Sequence, residues 1–236
     1  MPSRMDTITV DSKPMSIYVA VPEGTAPFPG VVVMFHRAGI DAFTKDRVDR
    51  LAAAGFAAAA PDLFHRSAGG PENPDALTLL RDDQVLADTK ATAEHLIRGG
   101  IVAADRLAIL GHCMGGRAAF VGASSTPYFR AAVINYCGNM FKPWGEGGPS
   151  AFERLSGLKA AVAGFFGNDD KNPSPADVDR IDAELTRLGV RHEFHRYDGA
   201  AHAFQNFVRP EQHRPKQAED SWAKALAFLE REIGTK

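Results

Sequence analysis

The chain is organised around six residues, Gly111-His112-Cys113-Met114-Gly115-Gly116. An apolar run, Arg106 to Leu110, leads into them. It is too short for a helix and suits a buried strand. Arg117-Ala118-Ala119-Phe120-Val121 follows and reads as a helix. A strand, a sharp turn and a helix, with glycine two before and two after a central nucleophile, make the G-x-S-x-G elbow pattern, here with cysteine in place of serine. The glycines leave room for a strained turn that holds Cys113 clear of the sheet edge, and they let helix and strand approach closely. Taken alone, the six residues fit a buried cysteine beside a glycine-rich turn equally well. The rest of the chain has to decide.

Around the elbow, strand and helix patterns alternate. Asp6–Val10 and Met15–Val21 read as short strands about the polar turn Asp11–Pro14. Val31–Phe35 is a fully apolar run of the kind a central parallel strand shows, and it ends at His36-Arg37-Ala38-Gly39. Ile40–Ala54 carries apolar residues near helical spacing, with Gly55 as its C-cap. Phe56–Ala60 is a strand stopped by Pro61, and Asp62–Pro74 is a loop. Asp75–Arg98 reads as a long helix that tolerates a break in its middle. Ala131–Tyr136, Ala160–Phe166 and Arg191–Tyr197 read as further strands. Gly138–Gly157, with Pro143, Pro149 and several glycines, reads as an irregular excursion. Ser174 and Pro175 open a helix to about Leu188, and Lys216–Ile233 is the last helix. This alternation predicts an α/β fold, a mostly parallel central sheet with helices on both faces. No Gly/Ser-rich linker divides residues 1–236, which points to a single domain.

Composition excludes several classes of function. A formal net charge of -2 argues against a nucleic-acid surface or a basic membrane patch, so neither nucleic acid nor membrane is an expected partner. No stretch approaches the roughly 20 apolar residues of a membrane span. Met1–Val10 lacks the pattern of a secretory signal, and Cys113 and Cys137 make no disulfide framework, so a cytoplasmic location is expected. His192 and His195 stand three apart on a predicted strand and face opposite sides, so they cannot share a metal. No other metal-ligand spacing and no phosphate-cradling loop is present, so neither metal nor cofactor is expected.

Ligands of such sheets bind at the carboxyl ends of the strands. His36-Arg37-Ala38, Cys113 and Gly167-Asn168-Asp169-Asp170 all fall there, and His202 lies in the loop after the last strand. Nucleophile, acid, histidine is the chain order of the α/β-hydrolase triad. Four segments carry a closer likeness: Gly111–Gly116, Ala59-Ala60-Pro61-Asp62-Leu63-Phe64, Gly167-Asn168-Asp169-Asp170, and Tyr197-Asp198-Gly199-Ala200-Ala201-His202-Ala203-Phe204. With these in order over most of its length, the chain resembles the dienelactone hydrolase family, α/β-hydrolases with a cysteine nucleophile.

The resemblance implies a carboxylic ester or lactone hydrolase with Cys113 as nucleophile, His202 as base and Asp170 as acid. It selects Asp170 over Asp169, because the family places its acid third after the glycine. The expected oxyanion donors are the backbone N–H groups of Met114 and Ala38. Two positions depart from the family pattern. Arg37 stands where the family places a glutamate beside the thiol, and Asn206 stands where its dienelactone-cleaving members place an arginine for the substrate carboxylate. Arg81 falls about where the family has its other carboxylate-binding arginine. Arg81 and Arg37 are therefore the expected substrate contacts, with His36 as a wall residue or a hydrogen-bonded structural histidine. The expected partner is a small ester or lactone, carboxylated ones included. Two other readings stand beside it: a general esterase or thioesterase on the same triad, and a hydrolase-fold protein that binds a small molecule without turnover.

Overall fold

The computed structural model describes residues 3–234. Eight strands form one sheet in the order β1-β2-β4-β3-β5-β6-β7-β8. They are β1 Ser3–Val10, β2 Lys13–Ala20, β3 Phe28–Met34, β4 Ala57–Pro61, β5 Val102–His112, β6 Phe129–Asn135, β7 Ala161–Gly167 and β8 His192–Tyr197. β1 and β2 form an antiparallel hairpin, and β2 runs antiparallel to β4. The pairings from β4 across to β8 are parallel.

Each central strand is apolar throughout because both of its faces are covered. Val31, Val33, Ala108, Leu110, Val133 and Phe165 face one layer, and Val32, Met34, Ile109, Ile134 and Val162 face the other. The first face packs against α1 (Ala42–Ala53) and α5 (Pro215–Ile233) through Val48, Leu51, Trp222 and Phe228. The second packs against α2 (Asp82–Arg98), α3 (Met114–Ser125) and α4 (Pro175–Arg187) through Val85, Leu96, Phe120, Val178 and Ile181. Sealing each large aliphatic or aromatic side chain between such layers contributes roughly 1.5–3 kcal/mol. The helix starts read from sequence hold at α4, where Ser174 and Asp177 form a capping box. At α1 Asp41 accepts a hydrogen bond from the Thr44 N–H.

One expectation changes. Residues 75–81 are not the first turns of the helix to Arg98. Arg81 is extended (φ -128°, ψ 139°), and α2 begins at Asp82. The Asp82 N–H donates to the Trp144 carbonyl, and the Asp82 carboxylate meets Arg117. Tertiary partners thus take the N–H that a continuous helix would have used, and Asp75–Leu79 forms turns instead.

The chain passes from β3 to β4 on one side of the sheet and then returns to place β5 on the other side of β3. The carboxyl ends of β3 and β5 therefore flank the switch point where sheets of this kind open a crevice.

Candidate active site

Cys113 follows β5 and precedes α3, with φ 59° and ψ -123°. A side chain in that region of backbone space costs on the order of 1–3 kcal/mol, and the surroundings must enforce it. Its N–H donates to the Asn135 carbonyl at 3.0 Å, and its carbonyl accepts from the Gly116 N–H at 2.9 Å. The glycines allow the contacts. A Cβ on Gly111 would sit 1.9 Å from the Gly115 carbonyl oxygen, and one on Gly115 would sit 2.1 Å from that of Met34. The start of α3 therefore rests directly on the end of β3, beside His36-Arg37-Ala38.

His202 reaches the thiol from the loop after β8. Its Nε2 lies 3.0 Å from Cys113 Sγ, and its Nδ1 donates to Asp170 Oδ2 at 2.9 Å. Asp170 is buried after the end of β7 and its second oxygen accepts the Asn172 N–H at 2.9 Å. Burial pulls the His202 pKa down, but the hydrogen bonds and negative charge of Asp170 and Cys113 outweigh it, and the value is pushed up to about 10. Cys113 is partly exposed, whereas Cys137 is buried and its thiol is pushed far up by that burial. Only Cys113 combines solvent access with a proton partner.

Behind the elbow runs a buried polar network. His112 Nε2 donates to Gln205 Oε1 at 3.1 Å, and Gln205 Nε2 donates to Asn135 Oδ1 and Ser221 Oγ at 2.9 Å each. Asn135 Nδ2 donates to the Gly111 carbonyl at 3.1 Å. This network fixes the ends of β5 and β6 to the loop that carries His202. Burial pushes His112 well below the usual imidazole range, so it stays neutral and structural. The Tyr136 ring packs edge-on against His202, with centroids 5.2 Å apart, and restricts its rotation.

Cys113 and His202 open onto a cleft of about 420 Å³. Arg37, Met114, Leu77 and Leu80 line it, together with Asn139, Lys142 and Trp144 from the segment after β6. Of the residues expected at the site, Cys113, His202, Asp170, Met114 and Arg37 come together. Ala38 is exposed next to Arg37, and among the described residues neither its N–H nor that of Met114 donates to a backbone carbonyl.

Two expected contacts do not reach the cleft. The Arg81 guanidinium pairs with Asp83 at 3.2 Å; its side chain lies against Gly145, which lines the cleft, but Arg81 itself does not line it. His36 is buried with Nε2 3.0 Å from Asp41, the N-cap of α1, at hydrogen-bond distance though not at its angle, and its ring meets Phe43 edge-on. His36 is thus a structural histidine. Asn206 is buried in its own turn, accepting the Val208 N–H. Lys142 and Trp144 were not legible as site residues, because they sit in the irregular excursion between β6 and β7. Among the described residues no group of three His, Cys, Asp or Glu is placed to hold a metal.

Comparison with known proteins finds similar sequences and structures over most of the chain. The sequence profile described as "Dienelactone hydrolase family" matches residues 15–233. A relative from Escherichia coli K12, assigned as a carboxymethylenebutenolidase, is 32% identical over 94% of this chain and 84% of its own length. A Bradyrhizobium relative, assigned as a 2-oxo-3-(5-oxofuran-2-ylidene)propanoate lactonase, is 32% identical over 90% of this chain and 87% of its own. A Klebsiella pneumoniae crystal structure assigned as a dienelactone hydrolase superposes with a TM-score of 0.89, at 29% identity over 97% of this chain and 98% of that one.

Proposed function

The chain belongs to the dienelactone hydrolase family and is a dienelactone hydrolase-like hydrolase, and from that premise we propose that it cleaves a carboxylic ester or lactone through Cys113, His202 and Asp170, by way of a thioester. The observation that carries this reading is the pair of contacts on one imidazole, 3.0 Å to the thiol and 2.9 Å to a buried carboxylate.

The steps follow from that geometry. With the proton held on His202, the Cys113 sulfur attacks the carbonyl carbon as thiolate. The oxyanion that forms accepts the N–H groups of Met114, at the positive end of α3, and Ala38. On collapse the C–O bond breaks and the leaving oxygen takes the proton from His202 Nε2. A lactone ring opens here, and its alcohol end stays attached to the acyl group. His202, now neutral, takes a proton from water, which attacks the thioester and releases the acid and the Cys113 thiolate. Asp170 holds the Nδ1 proton throughout and stabilises the imidazolium.

Charge in the cleft narrows the substrate. Arg37 and Lys142 line it, and none of its described lining residues is acidic. A substrate with an anionic group fits this surface, and the name of the Bradyrhizobium relative specifies such a compound, an oxofuran ring joined to a propanoate. Hydrolysis of a panel of chromogenic esters and lactones, with and without a carboxylate, tests the reading. Carboxylated compounds are expected to show the lower KM, and absence of turnover on every ester and lactone in the panel would sink it.

A further inference from the structure

One wall of the cleft, Asn139 to Trp144, is a loop, yet it is tied to the interior by a buried ion pair. Arg117 stands on α3 one turn after Cys113 and is fully buried. Its guanidinium pairs with the buried Asp82 carboxylate through both terminal nitrogens, Nη2 to Oδ2 at 3.0 Å. The remaining donors go to the wall: Nε to the Asn139 carbonyl at 3.0 Å and Nη2 to the Lys142 carbonyl at 2.8 Å. Asp82 Oδ2 also accepts the Trp144 N–H at 3.0 Å, and the Trp144 ring lies over the guanidinium with its centroid 4.1 Å away. Asn139, Lys142 and Trp144 all line the cleft.

Holding α2 against α3 does not require charges. An apolar pair of similar volume usually does so as well or better, because two buried ions pay a large desolvation cost. What an apolar pair cannot supply is directed hydrogen bonds to two carbonyls and one N–H of a loop. We infer that Arg117 and Asp82 are positioning residues for the substrate: they register the Asn139–Trp144 wall to the helix that carries the nucleophile, and through that wall set which acyl groups the enzyme accepts. Lys142 and Trp144 make the contacts, and the ion pair fixes where those contacts stand. The inference rests on Cys113 being the nucleophile.

The test is a double variant, Asp82→Leu with Arg117→Met, which removes both charges so that neither is left buried and unpaired. The readout is the ratio of kcat/KM for 4-nitrophenyl phenylacetate to that for 4-nitrophenyl acetate. Loss of folded enzyme cancels in this ratio, so a merely structural role does not move it. A fall of about ten-fold, the size of one lost binding contact, with most of the change in KM for the phenylacetate, is expected. Alkylation of Cys113 by iodoacetamide should stay within about two-fold of wild type, because the elbow itself is untouched. An unchanged ratio overturns the inference. Should the double variant fail to fold, Trp144→Ala decides, since its side chain is only half-buried: the ratio must fall there too, and an unchanged ratio overturns the inference equally. Retained turnover by Cys113→Ala marks failure of the nucleophile reading instead, which separates the two failures.

Discussion

His202 Nε2 and Cys113 Sγ stand 3.0 Å apart although 89 residues separate them in the chain. The pair meets because β5 and β8 both deliver their loops to the same edge of a parallel sheet, and Asp170, after β7, completes the line. The His202 pKa of about 10 stands above its ordinary value of 6.5, since Asp170 and Cys113 outweigh burial.

A raised histidine pKa fixes the sign of the pH dependence. The shift contributes stability that is full below about pH 6.5 and is lost as pH rises through about 10. The same proton is needed by the leaving oxygen, so kcat/KM should hold level above neutrality and fall as pH passes about 10. NMR titration of His202 should give a midpoint near 10 in wild type and a lower one in Cys113→Ala, where the sulfur's hydrogen bond and charge are gone. A wild-type midpoint near 6.5 contradicts the raised His202 pKa described above.

Asp170→Asn keeps the shape of the site but can present an amide donor to His202 Nδ1, which disfavours the working tautomer. Activity should drop on the order of 10^4-fold while a weak residue survives. Steady-state kinetics on a chromogenic ester measure this, and activity near wild type would remove Asp170 from the proposed mechanism.

The two cations of the cleft should discriminate between alkylating reagents. Iodoacetate and iodoacetamide have similar size and differ in charge. Relative to a free thiol, Cys113 should favour iodoacetate, and Arg37→Met or Lys142→Met should each lower that preference by about ten-fold, the worth of a charge-assisted hydrogen bond of roughly 1.5 kcal/mol. Equal preference in wild type and both variants would show that neither cation meets the anion.

Gly115→Ala tests the close approach of α3 to β3. Its Cβ would lie 2.1 Å from the Met34 carbonyl oxygen and 2.4 Å from that of Phe35, both backbone atoms that cannot rotate away. The elbow must shift, at a stability cost of about 1–3 kcal/mol or more, and kcat/KM should collapse with it. A variant with wild-type melting temperature and turnover would contradict the packing described.

Much of this was legible in the chain. The apolar runs of β3, β5 and β7 fall at strands because both faces are buried, and the glycines of the elbow mark contacts too short for any side chain. The capping serine of α4 is a local signal, and it held. Tertiary effects were not legible. The apolar spacing of Leu77 and Leu80 suits a helix, but Asp82 spends its groups on Arg117 and Trp144, so the chain turns there and those leucines line the cleft instead. From its place after β3, His36 suited either a wall residue or a structural histidine, and its burial beside Asp41 decides for the second. Lys142 and Trp144 carry no motif, and only the fold brings them over Cys113. Arg117 read as an ordinary helix residue, because nothing local reveals that its partner is 35 positions away.

The central claim is that the acyl group passes through Cys113. Rapid acid quenching during turnover of 4-nitrophenyl phenylacetate, followed by peptide mass spectrometry, tests it most directly. The account predicts a phenylacetyl thioester on the peptide containing Cys113, none on Cys137, and neither adduct nor turnover in Cys113→Ala. Full turnover by Cys113→Ala, or an acyl adduct carried by another residue, would contradict it.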